Sequence, residues 1–219
     1  MKSIIFISPP AAGKGTQSKL LSEYYHIPHI SMGDLLRNEV ACGSELGKKL
    51  KVIMDAGGLV DANTTLELLE KRLMQDDCKN GYILDGYPRN LQQANSYEEL
   101  LNKINKELGY VIFLDIDKEL AAKRIAGRIV CPNCGSSYNL YIEDVKPKEE
   151  NICDRCHHKL EKRSDDNEAT IEKRFDTYME NTKDLLDYYK KLNVLTTIKI
   201  KETETAINVF EKIKEIIND

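Results

Sequence analysis

Four of the six cysteines fall in two C-x2-C pairs, Cys131/Cys134 and Cys153/Cys156, separated by 18 residues. Two knuckles of this spacing bring four thiolates to one tetrahedral ion, which suits a structural Zn2+ site. Four sulfurs leave no coordination position for water, so such a metal would fold its surroundings and take no part in chemistry. Iron fits the same four sulfurs. Disulfides are disfavoured, because the chain is long for a disulfide-built domain and Ile4–Ile7 is too short for the core of a secretory signal. His157 and His158 follow Cys156, but four cysteines already complete the shell and both read as solvated. Cys42 and Cys78 stand apart and read as ordinary small side chains.

A second set of groups suits polyphosphate. Ser8-Pro9-Pro10-Ala11-Ala12-Gly13-Lys14-Gly15-Thr16 follows the apolar run Ser3–Ile7 and opens an amphipathic helix. Backbone N–H groups at a helix start attract an anion, and a lysine there reaches outer phosphates. The strict phosphate-loop pattern is not met, since Ser8 stands where its first glycine belongs and Gly15 separates Lys14 from Thr16. A plain strand–turn–helix corner is the alternative. Arg124 and Arg128, four apart on one predicted helix, share a face. Asp85 ends a predicted strand before Gly86, so its carboxylate falls at the carboxyl edge of a sheet, where open α/β folds bind ligands. Its alternative role is a helix N-cap.

The elements that must position these groups alternate between strand and helix. Ile27–Ile30, Tyr82–Leu84, Val111–Leu114 and Val194–Ile200 read as strands, with Pro28 restricting the first to a strand start or edge. Thr64–Met74, Leu91–Leu108, Lys118–Arg128, Glu168–Lys191 and Ala206–Ile217 read as helices. Such alternation implies βαβ units and a parallel sheet. Two segments, residues 31–60 and 129–163, break the rhythm and read as insertions, the second with a unit of its own. The 219 residues carry a net charge of −4, which gives no support to nucleic-acid binding. No apolar stretch approaches a membrane span, and a cytoplasmic location is expected.

Three further blocks carry a resemblance: residues 30–37 (ISMGDLLR), 54–60 (MDAGGLV) and 81–89 (GYILDGYPR). Together with Gly13-Lys14-Gly15-Thr16-Gln17, Gly127-Arg128 and Arg163-Ser164-Asp165-Asp166, they resemble the sequence blocks of adenylate kinases in order and spacing. The cysteine-bearing segment is similar to the long lid of the bacterial zinc-containing branch. The resemblance implies an α/β fold of the P-loop nucleoside monophosphate kinase type, a five-stranded parallel sheet flanked by helices. It implies a core at 1–30, 61–128 and 164–219, an AMP-binding insert at 31–60 and a zinc-binding lid at 129–163. The reaction implied is reversible, Mg2+-dependent transfer from ATP to AMP giving two ADP, in a monomer.

The resemblance also assigns residues. For ATP it implies Ala11, Ala12, Gly13, Lys14, Gly15, Thr16, Arg124, Arg128, Ser137 and Tyr138. For AMP it implies Met32, Arg37, Gly58, Leu59, Val60, Gly86, Tyr87, Pro88, Arg89, Gln93, Arg163 and Arg174. Lys14, Arg89, Arg128, Arg163 and Arg174 would meet the transferring phosphate, with Asp85 acting on Mg2+ through its waters. Asp165 and Asp166 would hinge the lid, and Asp165 also suits a cap of the following helix. Departures from the pattern are Ser8, Ala11, Met32, Gly58 and the glycine-free run Lys201–Glu204. If Ser8 or Ala11 needs φ > 0, the cost is of order 1 kcal/mol. Rival readings are another nucleoside monophosphate kinase, a GTP-dependent phosphotransferase, or a zinc ribbon that binds nucleic acid.

Overall fold

The computed structural model describes residues 2–162 and 168–218, without the side chains of 168–172 and 174. Its elements run β1 (Ile4–Ile7), α1 (Lys14–Tyr25), β2 (His29–Ser31), α2 (Met32–Ala41), α3 (Glu45–Asp55), α4 (Ala62–Leu73), β3 (Ile83–Asp85) and α5 (Leu91–Lys103). There follow β4 (Tyr110–Ile116), α6 (Lys118–Ala126), β5 (Arg128–Val130), β6 (Ser137–Asn139), α7 (Glu168–Lys191), β7 (Leu195–Ile200) and α8 (Ala206–Asn218). Five strands form one sheet in the order β2-β3-β1-β4-β7, every pairing parallel.

Strand periodicity explains why both faces are covered. In β1, Ile5 and Ile7 join a core with Leu69, Tyr97 and Leu185, while Ile4 and Phe6 join an opposite core with Leu21, Phe210 and Ile213. A strand buried on both faces has no polar positions, and all four β1 residues are buried. Pro28 precedes the edge strand β2 and gives its carbonyl to Ile83 N–H at 2.9 Å, which needs no N–H of its own. Helix starts are set by side chains that accept from the first turn: Ser31, Ser44, Asp61 and Asn90 cap α2, α3, α4 and α5.

Two predicted helices stop early. The helix beginning at Leu91 ends at Lys103, because Asn105 adopts φ 52° and redirects the chain. The helix beginning at Lys118 ends at Ala126, so Arg128 lies not on that helix but at the start of β5. The shared helical face expected of Arg124 and Arg128 is therefore wrong. A side chain at Gly127 would collide with Asn139 and the Tyr141 ring, and the returning chain needs that space.

The cysteine-bearing segment is a small unit. β5 and β6 form an antiparallel hairpin with Ile129 opposite Tyr138, and isolated bridges join Val130 to Glu161 and Ile152 to Lys159. Among the described residues its buried apolar centre is small, Ile129, Cys131, Cys153 and Leu160, with Tyr138 and Leu140 packed against it. Two polar contacts among the described residues tie this unit to α1. Lys19 Nζ donates to the Gly135 carbonyl at 2.5 Å, and Arg155 pairs with Glu23 at 2.7 Å.

Candidate active site

The turn between β1 and α1 lines a cavity of about 470 Å³. Gly13 is the N-cap of α1 at φ 99°, with no side-chain cap and no acidic residue in the first turn. Lys14, a cation, opens that turn. This is the opposite of a helix start that satisfies itself, and an anion would complete it. Ala11 adopts φ 63°, whereas Ser8 keeps an ordinary backbone and donates its hydroxyl to the Pro9 carbonyl at 2.8 Å. Of the two departures in this turn, only Ala11 carries backbone strain. Ala11, Ala12, Gly15 and Thr16 share the cavity wall.

Asp85 closes β3 beside this turn. Its Oδ1 lies 3.9 Å from Lys14 Nζ and its Oδ2 lies 3.4 Å from His29 Nε2. Burial alone would raise the carboxyl pKa, but Lys14, His29 and Arg89 outweigh it and hold the group at about 2. The carboxylate is thus ionised at neutral pH. His29 was not singled out from the sequence. It lies on the weakest strand signal, and nothing in the spacing links it to Asp85; only the pairing of β2 with β3 does.

Most of the residues expected on the acceptor side line the same cavity. Gly86 takes φ 78°, turning the chain so that Arg89 Nε donates back to the Gly86 carbonyl at 3.0 Å. Gln93 is buried, its Oε1 accepting from Arg89 N–H at 2.8 Å. Arg37 pairs with Asp34 at 2.6 Å, so an anion binding there would compete with that partner. Met32, Gly58, Leu59, Val60 and Pro88 line the same cavity. Tyr87 does not; it is fully buried and donates its hydroxyl to the Gln93 carbonyl at 3.1 Å.

Arg124 from α6, Arg128 from β5 and Ser137 and Tyr138 from β6 line the cavity as well. Among the described residues, Arg124 Nε is buried without a hydrogen-bond partner, and burial pushes its guanidinium pKa down. Asn139, which the sequence did not flag, fixes this corner. Its Nδ2 donates to the Arg124 carbonyl at 2.6 Å and its Oδ1 accepts from Tyr141 N–H at 2.9 Å. Gln17, quoted from the sequence as part of a motif block but given no role there, donates from α1 to the Ala206 carbonyl at 2.8 Å and ties the Glu204–Ala206 wall to the phosphate turn. Arg163, Asp165 and Asp166 lie outside the described residues, and Arg174 lies on α7 among the undescribed side chains.

The four paired cysteines converge. All four sulfurs lie within 4.8 Å of one another, with Cys131–Cys156 at 3.4 Å and Cys134–Cys153 at 3.5 Å. A tetrahedral ion with M–S bonds of about 2.3 Å needs sulfurs about 3.8 Å apart. The spacing fits a metal and is too long for disulfide bonds. Burial works to raise the Cys153 thiol, but the Tyr138 hydroxyl and the N–H groups of Arg155 and Cys156 outweigh it and hold it at about 6. Cys78, by contrast, is pushed up to about 11 by burial and is inert.

The adenylate kinase family model matches residues 6–194. The chain belongs to the adenylate kinase family. It is 44% identical to an adenylate kinase of Thermosipho africanus, over 99% of this chain and 98% of that one. Similarity to the Archaeoglobus fulgidus adenylate kinase is also 44%, over 98% and 97% of the two chains. The Clostridium tetani adenylate kinase is 41% identical over 98% of each chain. This adenylate kinase is an enzyme of the nucleoside monophosphate kinase class, moving a phosphoryl group between ATP and AMP. Among its described residues, no helix is long and apolar enough to cross a membrane.

Proposed function

We propose that the cavity joins donor and acceptor nucleotides for in-line, reversible transfer of the ATP γ-phosphoryl group to AMP, with the residue roles expected from the sequence. The observation that carries this reading is the convergence on one cavity of Lys14, Arg37, Arg89, Arg124 and Arg128 from distant segments. Phosphoryl transfer asks the protein mainly to align two anions and neutralise spread charge. Lys14 and the α1 N-terminus would hold the donor phosphates, with Arg124, Arg128, Ser137 and Tyr138 on the donor side. Arg37 would exchange Asp34 for the AMP phosphate, Arg89 would bridge to the transferring group, and Gln93 would face the base beside Met32 and Val60. Arg163 and Arg174 complete the cation set by family resemblance. The ionised Asp85 fits a Mg2+ ion held through its waters, and that ion, carried with ATP, would neutralise phosphate charge.

Residues 129–163 would form the lid, held together by one structural Zn2+ on Cys131, Cys134, Cys153 and Cys156 and excluding water on closure. Residues 31–60 would form the AMP-binding insert, with 1–30, 61–128 and 164–219 as core. A cytoplasmic monomer that needs neither membrane nor nucleic acid completes the reading. Steady-state turnover over a panel of NTP donors and NMP acceptors tests it, with ATP and AMP expected to be preferred. A folded, metal-replete sample that forms no ADP would refute the role assignments. Elemental analysis should return one zinc per chain; a value well below one with no other metal would refute the zinc site.

A further inference from the structure

We propose that Tyr138 is a positioning residue shared by the nucleotide cavity and the four-cysteine centre, so that donor binding and metal retention are coupled through its hydroxyl. The inference rests on the metal reading above. Tyr138 lies on β6 opposite Ile129, one residue after Arg128, and lines the cavity that holds Lys14 and Arg128. Its hydroxyl lies 3.4 Å from Cys153 Sγ and 2.9 Å from Asp154 N.

The proton assignment follows from the two partners. A backbone N–H can only donate, so Asp154 uses a lone pair of the hydroxyl. The single hydroxyl proton is then left for Cys153. A metal-bound cysteine is a thiolate without a proton, so the tyrosine must be the donor in the metal-loaded state. A phenol aimed at a ligand sulfur is an outer-shell contact, and such contacts orient ligands and change metal affinity by roughly 10–100-fold.

The same side chain forms part of the donor wall. A nucleotide that contacts Ser137 and Tyr138 presses on a hairpin whose far side carries the sulfur contact, and Cys134 lines the cavity as well. Coupling of this kind is reciprocal: if donor binding seats the hydroxyl against Cys153, the metal must tighten donor binding by the same factor.

The test uses the full chain loaded with zinc, and Tyr138→Phe, which deletes only the hydroxyl. Elemental analysis of the native protein comes first; absence of metal there would defeat the zinc reading, a result separable from those that follow. Zinc release to 4-(2-pyridylazo)resorcinol is then timed with and without saturating Mg·ATP. We expect Y138F to release zinc roughly 10–100-fold faster. Mg·ATP should slow release from the native protein more than from Y138F. A readout independent of the variant's folding is the cobalt-substituted native protein, whose thiolate-to-cobalt absorption band should shift when ATP is added. Native release rates in Y138F, equal protection of both proteins by ATP, or an unmoved cobalt band would each overturn the proposal.

Discussion

The phosphate turn offers a test in which one substitution at two adjacent positions gives opposite signs. Ala11 sits at φ 63°, where an L residue costs about 1–2 kcal/mol relative to glycine. Ala12 has ordinary backbone and is only 3% exposed in the core shared with Leu21 and Phe210. Glycine at either site loosens the unfolded chain, which destabilises by about 0.4–1 kcal/mol. At position 11 the relief exceeds that loss together with the smaller loss of a partly buried methyl, leaving a net gain of about 0.5 kcal/mol. At position 12 nothing is relieved, and a buried methyl worth about 0.8 kcal/mol is lost as well, for a total near 1.5 kcal/mol. For a chain of this size, 1 kcal/mol moves Tm by roughly 2–4 °C. Ala11→Gly should therefore raise Tm by roughly 1–2 °C, and Ala12→Gly should lower it by roughly 3–6 °C, both read by calorimetry. If A11G melts as early as A12G, the left-handed strain assigned to Ala11 does not exist.

Asp85 predicts a pH dependence. Its carboxyl titrates at about 2 when folded against an ordinary 3.8, so its stabilisation is complete above pH of about 4 and is lost as pH falls toward 2. The stability difference between native protein and Asp85→Asn should shrink by about 2 kcal/mol across that window in acid titrations of unfolding; a constant difference would refute it. The Arg155–Glu23 pair is more than half exposed on both sides, so reversing Glu23 alone should weaken ATP binding by no more than about five-fold, and Glu23→Arg with Arg155→Glu should restore it. Failure of the double reversal to restore binding would exclude the pair as a docking contact. Tyr82 and Tyr97 share a buried hydroxyl–hydroxyl bond at 2.7 Å. Tyr97→Phe should cost about 1–3 kcal/mol by orphaning Tyr82, while the double phenylalanine variant should cost less than the sum of the singles in urea unfolding.

The regular core was legible because its signals are local. Glu168–Lys191 is helical over the range its periodicity predicted, and the run Leu195–Ile200 is the expected β-branched strand. The phosphate turn was legible for the same reason, since strand, glycine, lysine and helix lie within thirteen residues of one another. The misreadings were tertiary. Propensity alone carries α6 through Gly127 to Arg128; what stops it is the returning chain at Asn139 and Tyr141. His29 and Asn139 escaped notice, and Gln17 had no role assigned, because their partners lie 56, 15 and 189 residues away, and no periodic pattern records such pairings. The cysteine centre shows the converse. Its two pairs are also far apart in sequence, yet the spacing within each pair is itself the signature.

Helix α1 joins features otherwise described separately. Lys14 opens it at the phosphate turn, Lys19 holds the Gly135 carbonyl of one cysteine knuckle, and Glu23 holds Arg155 of the other. Lys19 and Glu23 are four residues apart, so they share a face, with Lys14 about 7.5 Å of helix rise behind Lys19. The helix thus acts as a ruler. It references both halves of the cysteine-bearing segment to the body that carries the phosphate turn. One residue inserted between Lys14 and Lys19 would turn both docking groups by about 100° and move them about 1.5 Å. Neither knuckle would then find its partner, although the sheet and the phosphate turn would be intact. The length of α1 is therefore as much a part of the site as any side chain within it.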